Sequence, residues 1–201
     1  ANPDSLTEAM VKDLFALGVT RLSLGVQSFD DKVLKTLGRI HSAEKAKQAI
    51  CFAQKRFENV SVDLMCGIPG QTEENFLESL KTAVDLGVKH ISVYPLTIEE
   101  GTPFWNKLMD QTLNYDEDSG ADMMIAASRY LLSRGMHRYE VANYAFDGYE
   151  SKHNSAYWSA KPYLGLGRGA VSMKQNDELR IREQDNQEIE RLDKKQRTAE
   201  D

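Results

Sequence analysis

Asp63 lies in an alternating segment, Val60-Ser61-Val62-Asp63-Leu64-Met65, followed by the turn Gly67-Ile68-Pro69-Gly70. Val60, Val62 and Leu64 fall on one side and Ser61, Asp63 and Met65 on the other, the period of two of a strand. A carboxylate there can bind a ligand or accept structural hydrogen bonds, and its position allows both. Gln27 and Tyr94 occupy comparable places in two other segments, whereas Arg39 follows Gly38 outside any helical stripe and reads as a surface arginine. His153-Asn154-x-x-Tyr157-Trp158 sets an imidazole beside an amide and two amphipathic aromatics. Such groups can ligate a haem iron or stack on a flat ring, or they can form a buried, satisfied polar corner. Cys51 and Cys66 read as small hydrophobes rather than metal ligands. Gly165-Leu-Gly-Arg-Gly169 resembles a phosphate loop only superficially, because no clean strand precedes it.

The elements that must position these residues repeat. Leu17-Gly18-Val19-Thr20-Arg21-Leu22-Ser23-Leu24 lines up with Leu86-Gly87-Val88-Lys89-His90-Ile91-Ser92-Val93, and Ser61 takes the matching place in the middle segment. Each copy ends a helix on glycine and enters a strand. Large aliphatics then point one way; Ser23, Gly25, Gln27, Ser61, Asp63, Ser92 and Tyr94 point the other. A parallel strand covered by helices on both faces would be almost wholly apolar, so this pattern predicts an α/β barrel interior that faces a polar ligand. Its chemistry belongs at the C-terminal strand ends.

Helices are expected after the capping box at Ser5-Leu6-Thr7-Glu8, with Leu6, Met10, Leu14 and Leu17 on one face, and after Ser42 and Thr72. From about Asp116 the pattern changes to a long amphipathic helix and a short strand near Tyr139–Tyr144. Three parts follow: 1–112 as barrel, 113–175 as a small α+β region, and 176–201 as a charged tail, solvated or disordered.

With 28% charged residues and a net charge of −6, no nucleic-acid or anionic-membrane affinity is expected. The longest apolar runs are too short to span a bilayer, and two cysteines make no disulfide framework. A soluble, reducing compartment, the cytoplasm, is the expectation.

Leu22-Ser-Leu-Gly-Val-Gln-Ser-Phe-Asp30, Leu37-Gly-Arg39-x-His41 and Val62-Asp-Leu-Met-x-Gly-Ile-Pro-Gly-Gln-Thr72 resemble the radical S-adenosylmethionine (SAM) family of oxygen-independent coproporphyrinogen III oxidase. His153-Asn-x-x-Tyr-Trp158 and Gly165-Leu-Gly167-x-Gly169-Ala170 resemble its HemW branch, the haem chaperone-like members. The resemblance runs from Asn2 to about Ser172. It implies part of a (β/α) partial TIM barrel, three parallel βα units, that carries SAM and a [4Fe-4S] cluster. Gln27, Arg39 and Asp63 match positions that touch SAM in the family, while His153, Asn154, Tyr157 and Trp158 become the residues for haem.

The family's Cys-x3-Cys-x2-Cys motif and the Glu before Asn2-Pro3 are not in the chain, so it is expected to be a piece of a longer protein that performs no radical chemistry alone. Three functions are implied: a haem chaperone, a coproporphyrinogen III oxidase that decarboxylates propionates to vinyls, or an inactive truncated scaffold. Haem or porphyrin is the expected small-molecule ligand, with a haem-acceptor protein as partner.

Overall fold

Three strands form where the alternation places them, and each follows a helix that ends on a left-handed glycine or a short polar link. A computed structural model describes residues 1–184 and 187–193. In chain order the first unit holds α1 (Glu8–Ala16), β1 (Arg21–Gln27), α2 (Asp31–Thr36), α3 (Ala43–Gln54), β2 (Asn59–Cys66), α4 (Glu73–Asp85), β3 (His90–Pro95), α5 (Pro103–Met109), α6 (Glu117–Ser133), β4 (His137–Arg138) and β5 (Asn143–Ala145). The second holds α7 (Lys152–Trp158), β6 (Val171–Gln175), β7 (Leu179–Gln184) and β8 (Gln187–Asp193). The packing divides the chain between Glu150 and Ser151 rather than at residue 112, because α6 covers the first unit's core beside α4.

Helix starts follow capping chemistry. Thr7, Asp30, Ser42, Thr72, Thr102, Asp116 and Ser151 each accept a backbone N–H from the first turn of the helix that follows. At α1 the cap is Thr7, not Ser5, and this shift changes the buried face. Leu6 before the cap and Val11 four residues after it are both 1% exposed, as a hydrophobic staple requires, while Met10 and Leu17 face outward.

The first unit's sheet has the order β1-β2-β3-β5-β4. β1, β2 and β3 are parallel, with Ser23 opposite Ser61 and Asp63 opposite Ser92; β5 runs antiparallel to β3. One face is apolar: Leu22, Leu24, Val26, Val60, Val62, Leu64, Ile91 and Val93 pack into one core with α3, α4 and α6. The other face keeps the small and polar residues, of which Ser61 and His90 are fully buried. On β1's outer edge the Ala1 amino group donates to Ser23 O (2.7 Å), and Gly25 N–H donates to Ala1 O (3.0 Å).

The second unit corrects the reading of the C-terminal segment. β6, β7 and β8 form an antiparallel sheet through Asp193, where a solvated helix or disordered tail was expected. Met173 is its one buried apolar side chain among the described residues, and Lys174 pairs with Glu183 (2.7 Å) and Arg182 with Glu190 (3.0 Å) across the strands. Asn176 Oδ1 accepts from Glu178 N–H and Leu179 N–H in the hairpin turn. The rest of that expectation, residues 185–186 and 194–201, lies outside the described residues. No helix among the described residues is long and apolar enough to cross a membrane.

Candidate cofactor site

The polar face gathers its chemistry at the C-terminal ends of β1, β2 and β3. Ser23 Oγ donates to Asp63 Oδ1 (3.0 Å), which holds the carboxylate over the sheet. Tyr94 OH donates to Gln27 Oε1 (3.4 Å). The Tyr94 phenol is held above its ordinary range, first by burial and then by the Asp63 charge; the Gln27 hydrogen bond and the Arg39 charge oppose this. Of the residues expected at the site, Gln27 is in hydrogen-bond contact with Tyr94. Local structure explains each placement. Asp63 sits at an inward position of β2, and Gly38 (φ +70°) ends the α2 turn, so that Arg39 N–H donates back to Leu34 O (2.9 Å). Arg39 is half-buried, not a plain surface arginine. Gln27 is buried and has a positive φ of 67°.

Below these groups, toward the strand starts, lies a second polar set that the sequence reading did not single out. Ser61 Oγ and His90 Nδ1 lie 2.7 Å apart, and His90 Nε2 is 2.7 Å from Tyr139 OH. Burial, and then the nearby Arg21, push His90 down to about 3, so the ring is neutral. Burial likewise lowers Arg21, against the pull of Tyr139 and Asp63. The only early signal was the inward register of Ser61 and of the residues flanking Ile91.

The turn after β2 is a close packing point. A Cβ on Gly67 (φ +70°) would lie 2.9 Å from Gly120 Cα, and Cys66 Sγ donates to Gly120 O (3.6 Å). Burial pushes the Cys66 thiol up to about 12, and Cys51 sits exposed on α3. An iron–sulfur cluster requires several convergent thiolates, and these two cysteines do not fit it.

In the second unit His153, Tyr157 and Trp158 are exposed on α7, while Asn154 is half-buried and its N–H donates to the Ser151 cap (3.3 Å). The His153 and Tyr157 rings lie 4.8 Å apart, and Tyr157 stacks on Tyr163 at 4.5 Å. His153 therefore belongs to an open aromatic surface, not to a buried polar corner. Gly165 is required by packing: a Cβ there would meet Val171 O at 2.4 Å. His137 faces Asp147 (3.1 Å) through one ring nitrogen and Glu150 (3.0 Å) through the other.

Known proteins resemble this chain in sequence and fold. The Radical SAM superfamily profile matches residues 1–83. "Heme chaperone HemW" of Bacillus subtilis is 41% identical over 172 residues, which are 85% of this chain and 45% of that protein. The mouse "Radical S-adenosyl methionine domain-containing protein 1, mitochondrial" is also 41% identical over 172 residues, 85% of this chain and 39% of that protein. The chain thus spans less than half the length of these relatives. Among solved structures, the coproporphyrinogen III oxidase HemN of Escherichia coli superposes with a TM-score of 0.71 at 22% identity, over 92% of this chain and 45% of that one, which shows a common fold. Radical SAM membership implies SAM and a [4Fe-4S] cluster in the whole protein. The chain belongs to the radical SAM superfamily, in the HemW branch of the HemN family.

Proposed function

We propose that the polar strand ends of the first unit bind SAM, and that the whole protein is a HemW-type haem chaperone whose haem contacts lie on α7. The observation that carries the SAM reading is the pair of hydrogen bonds, Tyr94–Gln27 and Ser23–Asp63, that sets an amide and a carboxylate on the polar face of β1–β3, with Arg39 half-buried in the link after α2. The donor set suits SAM: a carboxylate accepts from ribose hydroxyls, a guanidinium forks onto the methionyl carboxylate, and an amide can do either. Ser23 orients Asp63 for this, and the missing side chain of Gly25 leaves room for the Gln27 amide, whose Nε2 lies 3.2 Å from where a Cβ would sit. Bound SAM supplies a sulfonium and an adenosyl group; the residues here bind and orient them.

The haem reading rests on relatives named as haem chaperones together with the exposed His153–Tyr157 pair. It favours a chaperone over an oxidase. A haem-acceptor protein would be its partner.

Titration calorimetry of SAM onto the whole protein tests the site. Loss of a charged hydrogen bond costs about 1.5–3 kcal/mol, so Asp63→Ala is expected to weaken binding about tenfold to a hundredfold. Unchanged affinity in a folded variant would leave Asp63 a structural acceptor and remove the reading.

A further inference from the structure

The Val26 carbonyl at the end of β1 receives two donors. Ser28 N–H donates to it at 2.9 Å and His41 Nε2–H at 3.1 Å. The first bond closes a three-residue turn around Gln27, whose φ is 67°. Three-residue turns with a positive central φ are the rare, strained kind, all the more so with a non-glycine residue at the centre. Such strain persists only where the surroundings over-determine it.

Those surroundings are present. His41 is buried, 5% exposed, so its bond to Val26 is shielded from water. Phe29 N–H donates to Ser79 Oγ (3.0 Å), and Ser28 Oγ lies 3.3 Å from the same hydroxyl, which ties the turn to α4. The turn carries the Gln27 side chain back along β1, where its Nε2 lies 3.2 Å from the place a Cβ on Gly25 would occupy. Gln27 Oε1 is thereby presented to Tyr94. Arg39 stands two residues before His41 in the link between α2 and α3, so the anchor that fixes the turn also fixes the approach of the arginine.

We propose that His41 is a positioning residue of the candidate SAM site: by holding the Val26 carbonyl it keeps the strained Gln27 turn closed and sets Gln27 and Arg39 toward one ligand. The inference rests on the SAM reading above. The energetic logic is that of a stability–function exchange, in which strain at Gln27 is tolerated for the direction it gives the amide.

The test uses the whole protein, with SAM calorimetry and the 15N-glutamine side-chain amide resonances, the Gln27 signals being those lost in Gln27→Gly. His41→Ala is expected to shift the Gln27 signals and weaken SAM binding by about tenfold or more, and His41→Gln, which keeps a donor of similar reach, to restore most of both. Gln27→Gly is expected to weaken binding without lowering the melting temperature, because glycine adopts a positive φ freely. Should His41→Ala fail to fold, His41→Gln and Gln27→Gly decide: a Gln27→Gly melting temperature below wild type means no strain was stored and overturns the proposal. A folded His41→Ala with Gln27 signals in place and affinity within about twofold of wild type also overturns it, even if its melting temperature falls. Asp63→Ala separates the two levels. If it weakens SAM binding while His41→Ala does not, only this inference fails; if neither does, the SAM reading fails with it.

Discussion

Ser23 and Asp63 are not ladder partners: Ser23 pairs with Ser61, and its hydroxyl reaches along the polar face to donate to Asp63 Oδ1 at 3.0 Å. The serine thus fixes the carboxylate without competing for the ligand's own donors. Removing one ordinary hydrogen bond costs about 0.5–1.5 kcal/mol, so Ser23→Ala is expected to weaken SAM binding about twofold to tenfold, less than Asp63→Ala. Calorimetry on both variants checks the order. Equal losses would mean that Ser23 meets the ligand directly.

Gly67 and Gly120 bring the end of β2 against α6 with no side chain between them, and a Cβ on Gly120 would lie 3.2 Å from Pro95 Cβ at the end of β3. At Gly67 an added methyl meets backbone at 2.9 Å, and its φ of +70° is unfavourable for alanine. The two penalties together predict that Gly67→Ala destabilises the first unit by about 2–4 kcal/mol, read from urea unfolding midpoints. A loss under about 0.5 kcal/mol would show that α6 can shift to make room.

His90 makes stability depend on pH. In the unfolded chain its ring titrates near 6.5; in the folded chain burial and Arg21 delay this to about 3. Below 6.5 the unfolded state therefore takes up a proton that the folded state refuses, and stability falls as pH drops toward 3. The slope from this one group is about 1.4 kcal/mol per pH unit, and above its unfolded value it contributes none. Urea midpoints for wild type and His90→Gln at about pH 7.5 and about pH 5 isolate it, since the remaining titrating groups are common to both. Parallel pH dependences would show that the His90 ring takes up a proton in place.

What the sequence made legible follows from which signals are local. The register of β1–β3 could be read because a period of two places Ser23, Ser61 and Asp63 on one face before any tertiary contact is known. Helix starts could be read because a cap bonds within its own first turn, although at α1 two candidate caps stood close together and the staple between Leu6 and Val11 decided for Thr7. Arg39 was different. Nothing in its neighbours sets it apart from a surface arginine, and only family resemblance drew it into the site; its half-buried place after the turn at Gly38 is a product of the fold. The strained turn at Gln27 was invisible, because its φ is imposed by His41, Ser79 and Tyr94 from other elements. The β6–β8 sheet escaped for the opposite reason: its strands are rich in charged residues that pair across the ladder, so its composition matched that of a solvated tail.

The haem surface offers a separation of two roles on one helix turn. His153 and Tyr157 stand four residues apart on α7 with rings 4.8 Å from each other, and His153 is the only histidine after His137. An imidazole can ligate iron, whereas Tyr157, stacked on Tyr163, offers a flat aromatic support. Truncating each should therefore leave the other contribution in place. In the whole protein, His153→Ala is expected to change the Soret band or weaken haem binding, and Tyr157→Ala to weaken binding while the Soret position stays where it is. Exposure strengthens the test: His153 lies open on α7, so its truncation should cost little stability, within about 0.5 kcal/mol. A His153→Ala protein that melts lower and keeps the wild-type haem spectrum would make the histidine a structural residue, and the chaperone reading would lose its residue-level support.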